Sequence, residues 1–172
     1  MSRLLVPVSS FDHIQGPEDA AITLVEYGDY QCPYCGEAYP VIKEVQRMLG
    51  SRMRFVFRNF PISEIHPNAL PAARFAEAAA IAGRFWEAHD LLYQNQQALE
   101  PDDLLRYAAQ LKVDHTLLQA AAEGNFDPRI ERDFMGGVRS GVNGTPSLFI
   151  NGRRYDGPRD VESLIDALGV VA

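Results

Sequence analysis

The chain holds two cysteines, and they sit three apart in Cys32-Pro33-Tyr34-Cys35, between a run that reads as a buried strand and one that reads as a helix. Residues at i and i+3 on the first turn of a helix share a face and lie close enough to bridge, which a reversible disulfide requires. Cys32 falls at the expected helix N-cap, where unpaired backbone N–H groups and the positive helix end favour a thiolate over a thiol. Pro33 suits the first helical position, since it needs no N–H there. Cys35, one turn in, is expected to be more buried and less acidic. The chemistry is thiol-disulfide exchange: Cys32, open to substrate, attacks a substrate sulfur, and Cys35 resolves the mixed disulfide.

Three other readings compete. A zinc site would need a second ligand pair, yet His13, His66, His89 and His115 are scattered without ligand spacing, so no metal is expected. A structural disulfide across so short a loop would remove little unfolded-chain entropy. An accidental pair is the third, and the surroundings must decide.

With 172 residues, 47% hydrophobic and 23% charged, the chain is one globular domain or a domain with an insertion. Its formal net charge of −7 argues against nucleic acid or an anionic membrane surface as main partner. After Met1-Ser2-Arg3 the apolar stretch Leu4 to Val8 is short and interrupted by Pro7, too brief for a signal-peptide core. No run approaches membrane-spanning length. A cytoplasmic location is expected on these grounds, and both cysteines being absorbed by the motif fits a reducing compartment.

The elements that must position the pair follow from patterning. Ala20 to Tyr27 reads as a central strand. Ala38, Val41, Ile42, Val45, Met48 and Leu49 recur at helical spacing, with Gly50 as C-cap and Pro40 expected to kink the helix. Arg52 to Phe60 reads as a second strand that Pro61 stops. Alanine-rich periodic segments at about 68–82, 84–98, 101–111, 114–123 and 128–141 then form a helical insert. Phe85, Trp86, Tyr93 and Leu104, Leu105, Ala108 and Leu111 are expected to pack there. Asn151-Gly152 between two short strands predicts a type I′ hairpin. Val161, Leu164, Ile165 and Leu168 mark a last amphipathic helix within Pro158 to Leu168.

Residues 12 to 168 resemble the thioredoxin superfamily, and within it the DsbA-like oxidoreductases. The likeness rests on Cys32-Pro33-Tyr34-Cys35, on Glu26 six residues before the first cysteine, on Pro40, and on Gly144-Thr145-Pro146 before the hairpin. The strings Leu24 to Cys35 and Gly144 to Gly152 look like the cytosolic branch, including thioredoxin-like domains fused behind sodium/proton antiporters in some bacteria. The resemblance implies an α/β thioredoxin-like fold, β-α-β then β-β-α, with a core of residues 12–62 and 142–170 and an all-helical insertion at 63–141. It implies a cis bond between Thr145 and Pro146 beside the cysteines, with the Thr145 backbone exposed to pair with an extended substrate. An ordinary turn is the alternative for Thr145-Pro146. Asn143-Gly144-Thr145 also spells a glycosylation sequon, without meaning for a cytosolic chain.

The same resemblance makes Glu26 the buried acid beneath the disulfide that handles the proton of Cys35. The alternative is a strand end in solvent, or a pair with a cation such as Arg58. Pro33, Tyr34, Thr145 and Pro146 would contact substrate. Tyr30, Phe60 and Ile62 would join Tyr34 in an apolar rim or else pack in the core, and His66 before Pro67 reads as a turn residue. The strongly oxidising DsbA proteins carry a histidine where this chain has Tyr34, so a less acidic Cys32 and a lower potential are expected, in a reductase or isomerase direction. The expected partners are thiol- or disulfide-containing protein clients, with glutathione or a thioredoxin-type electron donor open, and no cofactor is implied. A non-catalytic redox sensor or binding module is the rival reading. Isomerases of the kappa-class glutathione transferase group replace the cysteine pair and fit less well.

Overall fold

A strand covered by helices or chain on both faces has no polar side to show, and Ile22–Gly28 is almost wholly buried for that reason. The computed structural model describes residues 2–169. Its strands are β1 (His13–Gln15), β2 (Ile22–Gly28), β3 (Met53–Asn59), β4 (Ser147–Ile150) and β5 (Arg153–Tyr155). Its helices are α1 (Pro33–Leu49), α2 (Ala69–Ile81), α3 (Phe85–Gln94), α4 (Pro101–Leu111), α5 (His115–Ala122), α6 (Asp127–Arg139) and α7 (Val161–Ala167). One mixed sheet runs β1-β3-β2-β4-β5, with β2 and β3 parallel and the other neighbours antiparallel. A parallel pair needs a crossover, which α1 supplies. The C-terminal end of β2 therefore leads into the start of α1, and the chain returns to the sheet as β3. The site is built at that corner.

Alternation along the strands sorts side chains to two faces. Leu24, Met53, Phe55, Phe57 and Leu148 face α1, α3 and α7 in one apolar cluster that continues into the helical block. Val25, Tyr27, Val56 and Phe149 face the other way, under Leu4, Val8 and Phe134. The run Leu4 to Val8 is thus cover for the sheet. Glu26 stands on the α1 face, opposite Phe57 on β3 and Leu148 on β4.

The expected helices appear within a few residues of their predicted ends, and α1 runs through Pro40 as a single helix. Asn151 and Gly152 both have positive φ, 46° and 80°, as a type I′ turn requires. One strand goes beyond the sequence expectation: β1 pairs antiparallel with β3, too short for its pattern to register. Met1 and residue 170, the expected end of the core, lie outside the described residues. Among the described residues no helix is long and apolar enough to cross a membrane.

Candidate active site

Cys32 is the N-cap of α1 and Pro33 its first residue, so the dithiol straddles the first turn. Cys32 has extended backbone angles and makes no side-chain cap bond, leaving its sulfur free for other partners. The turn before it is held by Asp29. One Asp29 carboxylate oxygen accepts the backbone N–H groups of Gln31 at 2.8 Å and Cys32 at 3.2 Å. The other accepts the Ile62 N–H at 2.9 Å and lies 2.8 Å from His66 Nδ1. From the helical block, the Gln96 amide donates to the carbonyls of Tyr30 and Cys32, both at 2.9 Å. Gly36 leaves room for it, because a Cβ there would overlap Gln96 Oε1.

Across the sulfur lies the loop before β4. The Thr145–Pro146 peptide bond is cis, and the Cys32 thiol donates to the Thr145 carbonyl at 3.4 Å. The Thr145 hydroxyl is buried and has no well-aligned partner among the described residues. It lies near enough to Cys32 to favour its anion. Cys32 is pushed down to about 5. The Cys35 thiol contributes most as a donor, burial opposes it, and the Thr145 hydroxyl and the N–H groups of Cys35 and Tyr34 add to it. That value lies between about 7 for thioredoxin and about 3.5 for DsbA.

Cys35 moves the other way. Burial pushes it well above the ordinary thiol range, and its bond to Cys32 and the charges of Glu26 and Cys32 push it further. Glu26 is 2% exposed, and one of its oxygens is buried without a hydrogen-bond partner among the described residues. Its carboxyl is pushed up to about 8, by burial first and then by the Cys32 charge, against the pull of Arg159. Arg58 is not its partner, since Arg58 lies on the opposite face and binds Asp12 at 2.8 and 3.0 Å.

Structure and sequence part at several residues. Cys32 keeps only 3% of its surface, less open than expected, with the Thr145 carbonyl 3.4 Å from its sulfur, and Pro146, expected to contact substrate, is buried. Tyr34 is 60% exposed and Pro33 is exposed too, whereas Tyr30 and Phe60 are core. The Tyr30 hydroxyl lies 3.0 Å from His89 Nδ1, among the rings of Phe57 and Tyr93. His66 sits in the turn segment between β3 and α2, as expected, and also lies 2.8 Å from Asp29. In the sequence Asp29 reads, with Gly28, only as a strand breaker, and Gln96 carries no signal. Asp29 follows the strand-breaking Gly28 as a turn acid would, but nothing local marks Gln96, whose bonds span more than sixty residues. Among the described residues no group of three or more His, Cys, Asp or Glu gathers to hold a metal.

The comparisons with known proteins bear on this arrangement. A family model described as Thioredoxin matches residues 9–169. The chain belongs to the thioredoxin family. A thioredoxin-like oxidoreductase from Silicibacter pomeroyi superposes with a TM-score of 0.82 at 26% identity, over 94% of this chain and 92% of that one. Oxidised BdbD from Bacillus subtilis shares the fold, with a TM-score of 0.79 at 21% identity, over 91% and 90%. In sequence, the thioredoxin-family chain is 45% identical over 167 residues to the sodium/proton antiporter NhaA 3 of Salinispora tropica, covering 96% of this chain and 26% of the antiporter. It therefore spans about a quarter of the length of such relatives. Family, fold and paired thiols together make this a thiol-disulfide oxidoreductase-like protein.

Proposed function

We propose that the chain exchanges disulfides with protein clients, in the reductive or isomerising direction, with Cys32 as nucleophile and Cys35 as resolver. The observation that carries this reading is the opposite pull on two adjacent thiols, Cys32 down to about 5 and Cys35 well up. At neutral pH the first is an anion and the second keeps its proton. The Cys32 thiolate attacks one sulfur of a substrate disulfide, which forms a mixed disulfide and expels the other substrate sulfur as a thiolate. The mixed disulfide removes the Cys32 charge that helps hold the Glu26 proton, so Glu26 ionises more readily at that stage; Cys35 then loses its proton to the Glu26 carboxylate and attacks Cys32, leaving a Cys32–Cys35 disulfide and a second substrate thiolate. Two electrons pass from the protein dithiol to the substrate. A carboxyl near 8 is matched to such a transfer close to neutral pH.

The edge of Thr145 beside Cys32 suits an extended client that adds as a strand, with Pro33, Tyr34 and Pro146 around its cysteine. A moderately stabilised thiolate favours the dithiol less than DsbA's does. Equilibration with glutathione buffers is expected to give a potential between roughly −270 mV and roughly −120 mV, the thioredoxin and DsbA values. A value at the DsbA end would overturn the direction proposed.

The direct test is a trap. Cys35→Ser is expected to accumulate mixed disulfides through Cys32 with clients, and the wild-type dithiol to reduce insulin faster than free thiols do. A second reading is favoured by the antiporter relatives and by the 3% exposure of Cys32: the pair would switch a partner's affinity without turnover. An empty trap together with absent insulin reduction would select it. A cytoplasmic location is part of this proposal, supported by a lone dithiol that suits a reducing compartment.

A further inference from the structure

We infer that Arg159 and Tyr34 form a receptor for a carboxylate carried next to the reacting sulfur of the substrate, so that acidic disulfides are preferred to basic ones. The inference rests on the exchange chemistry proposed above and names the substrate class. Tyr34 lies between the two cysteines and is 60% exposed. The Arg159 guanidinium sits over its ring, 6.0 Å from the centroid, and its charge reaches Glu26 beneath the dithiol. A guanidinium resting on an aromatic face keeps its edge N–H groups for a planar carboxylate.

The loop that presents Arg159 is pinned on both sides. The Tyr155 hydroxyl donates to the Pro158 carbonyl at 2.5 Å, and Asp160 caps α7 by accepting from the Ser163 N–H and hydroxyl, each at 2.8 Å. Of the nearby acids in sequence, Asp160 is committed to that cap and Asp156 to Arg154 at 2.8 Å, while Glu162 makes no ion pair among the described residues. Among the described residues no carboxylate pairs with Arg159. A cation held over Tyr34, the residue between the two cysteines in sequence, offsets locally the repulsion that an acidic substrate would meet on a chain with net charge −7.

The test uses pre-reduced protein, whose dithiol supplies the two electrons, and two peptide disulfides identical except for Asp or Lys beside the cysteine. Stopped-flow rates are divided by those of dithiothreitol, which removes the intrinsic effect of each charge on leaving-group reactivity. The normalised Asp-to-Lys rate ratio is expected to be about fivefold at low ionic strength, the upper range for a surface ion pair, and to fall toward one in 1 M salt. Arg159→Ala is expected to bring the ratio to one, Arg159→Glu to invert it, and Arg159→Lys to keep part of it. Oxidised glutathione, run beside the peptides, tells whether a small acidic thiol uses the same receptor as a protein segment. Two outcomes overturn the inference: a wild-type ratio of one, or a ratio that Arg159→Ala leaves intact. Failure to reduce either peptide faster than free thiol would instead overturn the exchange reading, and this one with it.

Discussion

Glu26 is the residue at which stability and chemistry conflict most openly. Its carboxyl sits near 8 in the folded chain against an ordinary value of 4.5, raised by burial and then by the Cys32 anion. Between those two pH values the folded chain holds a proton that the unfolded chain has lost, so this group's contribution to stability is fully present below about 4.5 and is lost as pH rises to about 8. Glu26→Gln is expected to remove that dependence and to raise the stability of the dithiol form at pH 8 by on the order of a few kcal/mol. Urea unfolding at pH 5 and pH 8 measures it. The same variant is expected to slow resolution of a mixed disulfide, since Cys35 loses its proton acceptor. Cys32 has the opposite sign. Its value lies below the ordinary thiol range, so its contribution is present above that range and is lost as pH falls through about 5.

Between elements, the precision of the site depends on the long-range clamp made by Gln96. The cysteine spacing, the helix after it and the proline before β4 could all be found in the sequence, because each is marked by local chemistry. Gln96 could not, since its partners Tyr30 and Cys32 lie more than sixty residues away, and a surface glutamine in a loop has no pattern of its own. The same limit hid β1, three residues whose partners on β3 are forty or more positions on. Gln96→Ala leaves two carbonyls short of a donor and is expected to destabilise the chain by about 1–3 kcal/mol. A methyl at Gly36 displaces the same amide, so Gly36→Ala and Gln96→Ala are expected to be non-additive. A double-mutant cycle by chemical denaturation checks this, and full additivity would refute the clamp.

Across the whole molecule, the helical block and the N-terminal segment are joined to the sheet by buried polar groups as well as by apolar packing. Glu77 on α2 lies 2.8 Å from both His13 on β1 and Arg129 on α6, and Asn59 on β3 bonds Asp133 on α6. Close to Asp133, Arg58 grips Asp12 and donates to the Val6 and Pro7 carbonyls, which holds Val6 to Asp12 against the sheet. Composition and periodicity reveal the layers, yet they are blind to such pairs, because an arginine in a strand reads the same whether it points to water or to a buried acid. Asp12→Ala strands a buried guanidinium and is expected to cost about 3 kcal/mol or more, measured by urea unfolding. The Cys32 titration is expected not to move, since this pair lies across the sheet from the dithiol.

The central claim, that Cys32 is an ionised attacker beside a protonated Cys35, is tested most directly by the pH profile of alkylation. Reduced protein treated with iodoacetamide between pH 3 and 10 is expected to react at Cys32 first, with a midpoint near 5. A midpoint in the ordinary thiol range of about 8.5, or first modification at Cys35, would contradict it.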